Sequence, residues 1–207
     1  MSLRESFSDS DETAPARPAL LDVAWRSIEC GVESGRALEV DLNDFPPELC
    51  REAATFVTLH RCDQLRGCVG SLVANRPLVS DVAHSAFKAA FRDGRFSALQ
   101  AAELDGLEVH MSVLSPLEPL SSKNEASLLE QIRPGVDGLV LRDGPRQGTF
   151  LPAVWESIPD PMEFLRALKS KAGLPADAWS ADWDVLRYTV ESIPSPTLHF
   201  PRPDPVR

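Results

Sequence analysis

Apolar positions recur along the chain with two periods, one of about 3.6 residues, typical of helices, and one of about two residues, typical of strands. The helical period predicts four helices. The first runs from Pro18 to Gly35, residues suited to opening and closing a helix. A second begins at Pro77 and ends near "FRDGRF" (91–96), with a stripe of small apolar residues suited to close packing on a sheet. "NEASLLEQI" predicts a short third helix, and 161–174 predicts an amphipathic fourth helix closed by Gly173.

The shorter period, alternation of every second residue, predicts the strands. "TFVTLH" (55–60), the turn "RCDQ" and "LRGCVGSL" (65–72) indicate a hairpin. "LEVHMSVLS" (107–115) alternates most clearly, and 136–154 indicates two strands joined by a Gly-Pro turn. "WDVLRYTVESI" (183–193) indicates one last strand. Hairpins and helices follow one another without a βαβ rhythm, which predicts an α+β fold with a mainly antiparallel sheet and packed helices.

Composition narrows the class of protein. The chain has 207 residues, a hydrophobic fraction of 43% and a formal net charge of -10, and it has no run of Lys or Arg. These values indicate a globular protein with no nucleic-acid partner, because phosphate binding needs a clustered basic face. No apolar run reaches the length of a membrane span, and the polar N-terminus lacks a signal-peptide pattern, so we expect a cytoplasmic protein with no membrane partner. Residues 1–17 are predicted to be a disordered lead, and 196–207 a proline-rich tail on the surface.

The four cysteines, at positions 30, 50, 62 and 68, form no CxxC pair and no iron–sulfur spacing. We therefore expect free thiols, no metal and no cofactor. A Cys62–Cys68 bridge stays open as a redox alternative. No HExxH, GxSxG, P-loop or GxGxxG motif occurs. His110 or His84 is the predicted partner if a Cys–His dyad exists.

The stretch "LRGCVG" (65–70) carries the main chemical hypothesis. In a regular strand, Leu65, Gly67 and Val69 face a helix-covered core, and Arg66, Cys68 and Gly70 face the other side. A nearby guanidinium stabilises a thiolate, and a glycine lets a ligand approach the main chain. Equally, Cys68 can be a small apolar filler and the glycines can mark a bulge.

"FRDGRF" offers a second group of candidates. Asp93 and Arg95 stand at a helix end, where charges often cap or pair with one another. The functional interpretation is that both line the same cleft as Cys68.

Five blocks in order then resemble the AMMECR-one family, called AmmeMemoRadiSam system protein A in prokaryotes. They are "FVTLHRCDQLRGCVGSL", "PLVSDVAHSAFKAAFRDGRF", "LEVHMSVLSPLEPL", "GTFLPAVW" and "EFLRALKSKAGLPADAW". The resemblance covers about residues 20–195 and assigns 18–195 to one such domain. It implies a larger subdomain from both chain ends, a smaller central one, and the LRGC signature near the cleft between them.

Position by position, the resemblance assigns Arg66, Gly67, Cys68 and Gly70 to the signature, and Asp93, Arg95 and Phe96 to the second block. It also implies a family whose biochemical activity is not established, so the residues and the resemblance together leave two alternative functions open. One is a cysteine-dependent enzyme for a small substrate, with Cys68 and Arg66 catalytic and Gly67, Gly70, Asp93, Arg95 and Phe96 lining the cleft. The other is a non-catalytic adaptor that holds a small molecule or peptide and works with Memo-like and radical-SAM proteins.

The chain departs from the pattern that the resemblance leads us to expect at three places. Ser97 and Ala98 replace a double proline, His110 replaces a glutamate, and Ala153 replaces a glutamine. If the glutamate or the glutamine serves the chemistry, that chemistry is altered here.

Overall fold

The computed structural model describes residues 16–193 and contains five α-helices and eight strands in that part of the chain. The helices are α1 (Ala16–Ser34), α2 (Pro47–Cys50), α3 (Leu78–Phe91), α4 (Glu125–Leu129) and α5 (Pro161–Lys171). The strands are β1 (Ala54–Arg61), β2 (Gln64–Gly70), β3 (Leu107–Leu114), β4 (Glu118–Pro119), β5 (Gly138–Asp143), β6 (Arg146–Phe150), β7 (Asp184–Tyr188) and β8 (Val190–Ile193). Most of the predicted lead and all of the predicted tail lie outside the described residues.

The strands form two antiparallel four-stranded sheets, in the orders β2-β1-β3-β8 and β4-β7-β5-β6. The predicted α+β class is therefore confirmed. The chain divides into two compact units: one from both chain ends (16–112 and 192–193 among the described residues) and a smaller central one, Val113–Glu191. The domain limits 1–17, 18–195 and 196–207 stay predictions.

In the first unit, α3 packs on β1 and β2, and α1 packs on α3. The stripe of small residues makes this possible, because Val82, Ala86 and Ala89 are all at most 1% exposed. Gly67 provides the closest approach: a Cβ there would stand 2.1 Å from the carbonyl oxygen of Ala89. The predicted close packing of a helix against a glycine in the strand is present.

A β-bulge in the hairpin changes the predicted faces of β2. Leu59 pairs with Gly67 but His60 pairs with Leu65, so Arg66 has no partner on β1. The extra residue breaks the alternation, and Leu65, predicted to face the core, is instead 40% exposed. Beyond the bulge, Val57, Leu59 and Gly67 point to α3, and Thr58 pairs with Cys68 on the opposite side.

In the second unit, α5 covers the sheet, and Trp155 stacks on Phe164 with ring centroids 3.7 Å apart. The indole N–H of Trp155 donates to the carbonyl of buried Asp137 at 2.7 Å. These side chains belong to a continuous apolar core that also contains Leu120, Leu128, Leu139, Leu165, Leu168 and Val185.

Two predicted element limits differ from the structure, and one short helix was not predicted. The single strand 183–193 is two strands, β7 and β8, which separate at Thr189 and enter different sheets. The helix predicted to open at Pro18 begins at Ala16, because a proline in the first turn displaces no intrahelical hydrogen bond. The short helix α2, which begins at Pro47 after Pro46, was not predicted from the sequence pattern.

None of the helices that the structure describes has the length and apolar character needed to cross a lipid bilayer.

We expect Gly67→Ala to lower the free energy of unfolding by about 2–3 kcal/mol, because the new methyl group must push α3 away from β2. Chemical denaturation measures this change. Gly94→Ala is the matched control: nothing stands within 4 Å of a Cβ there, so we expect a change within about 0.5 kcal/mol. Equal stability losses in the two variants would contradict the close contact with α3.

Candidate functional site

The LRGC and FRDGRF segments meet at the outer edge of β2. This strand ends the first sheet, so the peptide groups of Cys68 that point away from β1 have no strand to bind. Asp93, which is buried, accepts a hydrogen bond from the Cys68 N–H on Oδ2 at 2.9 Å. Arg95 donates from Nη2 to the Cys68 carbonyl at 3.3 Å. Two side chains from the segment after α3 thus satisfy both polar groups of this residue.

Asp93 and Arg95 also bind each other. Nε and Nη2 of Arg95 lie 3.0 and 2.7 Å from the two carboxylate oxygens, and the Arg95 N–H adds a bond of 3.1 Å. The guanidinium, and then the N–H groups of Cys68 and Arg95, hold the pKa of Asp93 far below its ordinary range despite its burial. Asp93 is therefore a fixed anion that positions the strand and Arg95.

Arg66 makes a second ion pair, with Glu103. Nε and Nη2 bind the two oxygens of Glu103 at 2.7 and 3.0 Å, and Nη2 also donates to the Ser97 carbonyl at 3.0 Å. The Arg66 side chain is 12% exposed, and its Nη1 is buried with no hydrogen-bond partner among residues 16–193. The hydrogen bond from Arg66 is the main cause that lowers the pKa of Glu103 to about 2.

The Phe96 ring lies beside the arginines of both ion pairs. The guanidinium carbons of Arg66 and Arg95 lie 5.9 and 5.4 Å from the centre of its ring. Both distances are within the range of cation–π attraction. The structure thus brings Arg66, Cys68, Asp93, Arg95 and Phe96 together, and their catalytic and ligand-binding roles stay predictions.

The Cys68 thiol lies on the side of the first sheet opposite α3 and is half-buried. The hydroxyl of Thr58, its partner on β1, donates to the sulfur at 3.2 Å. Arg95 is the cation that contacts this residue, through its hydrogen bond to the Cys68 carbonyl, and its pKa is raised mainly by Asp93 and in smaller part by Cys68. Arg66, the cation that the sequence predicted for this role, makes its hydrogen bonds to Glu103 and Ser97 instead.

Two histidines share this side of the sheet, which we call the polar face and define by Thr58, His60, Cys68, Glu108 and His110. The rings of His60 and His110 meet edge to face with centroids 5.2 Å apart. Nε2 of His110 is 3.5 Å from Oε2 of Glu108. Sequence reasoning missed His60, although alternation from Thr58 would have placed it on the polar face. His84 lies instead on α3, where burial, and then Lys88 and Arg76, lower its pKa.

The two glycines of the signature contact the protein itself. A Cβ at Gly70 would stand 2.2 Å from the Thr55 carbonyl oxygen, just as one at Gly67 would strike Ala89. These contacts explain both glycines by packing, and their role toward a ligand stays a prediction.

Cys62 and Cys68 are free and stand apart along the hairpin. Cys62 is in the turn, with φ of 51°. Cys68 lies on β2 opposite Thr58, and Thr58 is four residues before Cys62 in the sequence. Strands advance about 3.3 Å per residue, so the separation exceeds the roughly 7 Å Cα distance that a disulfide allows. A bridge between them requires β2 to leave β1. The described part of the chain also contains no group of three His, Cys, Asp or Glu side chains able to hold a metal ion.

Ser97 and Ala98, the residues after Phe96, make their hydrogen bonds through the main chain. The Ser97 carbonyl accepts from Arg66, and the Ala98 carbonyl accepts from the Gln100 side chain. Neither contact needs a particular side chain, so this departure leaves the Arg66 contacts in place. Ala153 lies in the short 3-10 turn Pro152–Glu156 of the second unit.

We expect Glu103→Gln to flatten the acid dependence of stability. Because the pKa of Glu103 falls from its ordinary 4.5 to about 2, its ion pair stabilises the fold above about pH 4.5 and is lost as the pH falls toward 2. The variant should lose about 1–2 kcal/mol at pH 7, after allowance for partial solvent exposure, and correspondingly less on acidification. Denaturant titrations from pH 2 to 7 measure this. Glu130→Gln, at an exposed site, is the control, and an unchanged acid dependence in Glu103→Gln would contradict the assignment.

Comparison with known proteins places this chain in a family. The AMMECR1 family model matches residues 21–193. A protein of Thermococcus gammatolerans is 39% identical over 83% of this chain and 86% of its own length, and one of Thermotoga maritima is 37% identical over 82% and 94%. The crystal structure of protein PH0010 from Pyrococcus horikoshii superimposes with a TM-score of 0.76 at 36% identity, covering 84% of this chain and 88% of that one. The match to the family model along almost the whole described chain shows that this protein belongs to the AMMECR1 family.

Proposed function

We propose that this protein is a cysteine-dependent enzyme acting on a small substrate at the polar face, with Cys68 as its nucleophile. The observation that carries the proposal is the Thr58 hydroxyl, which donates to the Cys68 sulfur at 3.2 Å. The sulfur thus has an O–H donor beside it that can bind negative charge on sulfur as it reacts, and a thiolate is the nucleophilic form of a cysteine.

The surrounding residues support this role by holding the thiol in one place. Asp93 and Arg95 bind the N–H and carbonyl of Cys68, and the Arg95 guanidinium supplies positive charge beside it. In this proposal Arg95 takes the electrostatic role first given to Arg66, and Arg66 positions the segment 97–103 through its bonds to Ser97 and Glu103.

The His60–His110 pair is the proposed proton acceptor. His60 stands two residues beyond Thr58 on the polar face, diagonal to Cys68 in the hairpin, and long side chains on diagonal positions can meet. One imidazole of the pair would take the thiol proton as the sulfur bonds to an electrophilic carbon of the substrate, such as a carbonyl carbon, whose π electron pair moves onto its oxygen. Glu108 would stabilise an imidazolium formed at His110.

A non-catalytic adaptor is the second candidate, and a specific observation favours it. Asp93 already occupies the Cys68 N–H, so this amide is not free to stabilise an oxyanion beside the sulfur. In this alternative the same rigid surface holds a small molecule or peptide without chemistry. Memo-like and radical-SAM proteins are then the proposed partners.

Thiol reactivity at pH 7 distinguishes the two functions. We expect Cys68 in the native full-length chain to react with iodoacetamide faster than Cys62, although Cys62 is the more exposed. Thr58→Val should slow Cys68 by roughly tenfold, the value of one hydrogen bond to a charged group, while leaving Cys62 unchanged. Thr58→Ser keeps the hydroxyl and should retain most of the rate. Peptide mass spectrometry after timed quenching measures each cysteine separately.

The opposite result would support the adaptor. If Cys68 reacts only after unfolding, or if Thr58→Val leaves its rate unchanged, the hydroxyl does not activate the thiol. A partner pull-down with Cys68→Ala then tests the second candidate, because an adaptor keeps its partner when the sulfur is removed.

A further inference from the structure

A groove in the second unit has the features of a peptide-binding surface, separate from Cys68 and its neighbours. We propose that it binds proline-rich peptide segments that carry an arginine. The groove lies at the end of β4, the edge strand of its sheet, beside the segment 179–183 that precedes β7. We call it the tryptophan groove, lined chiefly by Pro119, Leu120, Ser122, Trp179, Trp183 and Asp184.

The floor of the tryptophan groove is rigid. Leu120 and Val185 are buried in the apolar core, and the Leu120 N–H donates to the Val185 carbonyl at 2.8 Å. Trp179 and Trp183 pack against that core while remaining half-buried, with ring centroids 6.1 Å apart at 63°. A surface held in this way loses little conformational entropy when a ligand binds.

Trp183 is also supported from inside the unit. Nζ of Lys169, which is fully buried, lies 6.0 Å from the centre of the Trp183 ring. The same ammonium donates to Glu125 at 2.5 Å and to the Ala176 carbonyl at 3.2 Å. Glu125 balances the lysine charge, so Lys169 holds the indole without making the groove basic.

Both half-buried indoles of the groove have a hydrogen-bond donor that no residue of the described chain accepts. Neither the Trp179 nor the Trp183 N–H donates to any residue within 16–193, whereas the Trp155 N–H is bound to Asp137. A polyproline II segment is a complementary ligand, because its carbonyls have no internal hydrogen bonds and its flat prolyl rings pack against aromatic side chains. Two neighbouring indoles supply both surfaces and donors.

The charge of the tryptophan groove selects the arginine. Asp184 is the charged residue among those that line it, and exposed Asp182 lies between two lining residues. Lys123 follows Ser122 without lining the groove, and Arg187 is engaged by Glu118 at 3.0 Å. A guanidinium can pair with a carboxylate and stack on an indole at the same time, which a lysine does less well.

The probe is the capped peptide acetyl-PPRPPRPP-amide, titrated into the full-length chain labelled with 15N at tryptophan. We expect one site with a dissociation constant on the order of 0.1 mM, in the range of weak peptide recognition. The indole N–H signals of Trp179 and Trp183 should shift with the titration. Those of Trp25 and Trp155 are internal controls and should not move.

Variants test each feature separately. Trp179→Ala should weaken binding by roughly tenfold or more, as expected for a central aromatic contact. Asp184→Asn should weaken it several-fold at low salt and remove the advantage over a peptide with Lys in place of Arg. Asp63→Asn, an exposed acid in the β1–β2 turn, is the matched control and should bind as the natural chain does. Thermal unfolding confirms that each variant is folded.

Three results would overturn the proposal. One is no shift of the Trp179 and Trp183 signals at several millimolar peptide. Another is equal affinity for a peptide of the same charge with alanine in place of proline. The third is that Asp184→Asn leaves affinity and arginine preference intact.

Discussion

The absence of a side chain at Gly67 is the constraint on which the Cys68 site depends. With no Cβ there, the backbone of α3 at Ala89 approaches β2 to a distance that any other residue would prevent. α3 ends two residues later, and the segment that follows carries Asp93, Arg95 and Phe96. The position of the helix end therefore decides whether a short aspartate side chain can reach the Cys68 N–H. The glycine acts through α3, without contacting the thiol.

The two ion pairs at this edge of the sheet have different consequences. Asp93 is buried, and its oxygens accept hydrogen bonds from the Cys68 N–H and from Arg95. It therefore holds β2 in place at the edge of the sheet, where no further strand pairs with it. Glu103 instead balances Arg66, a guanidinium that is almost wholly removed from solvent and has one nitrogen without a partner. Exchanging Glu103 for a neutral group would leave the Arg66 charge buried without its counterion, which is more costly than losing the attraction alone. The Arg95 side chain is half exposed, so water can solvate its charge when Asp93 is exchanged, and the main loss is the hydrogen bond to the Cys68 N–H.

Sequence patterns predict the elements of this fold better than they predict side-chain directions. The hairpin, α3, β3, β5, β6 and α5 follow from periodicity and turn residues, because those signals are local. The bulge at Arg66 depends on pairing with β1, so regular alternation misplaced Leu65 on the core side. The division of 183–193 at Thr189 depends on which sheet each half joins. The tryptophan groove likewise needs Pro119 and Trp183, far apart in sequence, to be neighbours.

The candidate site was predictable as a set of residues but not as a set of roles. The LRGC and FRDGRF blocks identified Arg66, Cys68, Asp93, Arg95 and Phe96 as candidates. Only the coordinates show which arginine pairs with which acid. The role of His110 also could not be predicted from sequence, because it depends on the contact with His60, a residue that belongs to no motif. A glutamate at position 110 would place a second carboxylate near Glu108 and remove the ring contact. His110 thus forms a ring pair with His60 beside Glu108, and the polar face carries two imidazoles where two neighbouring acids would repel each other.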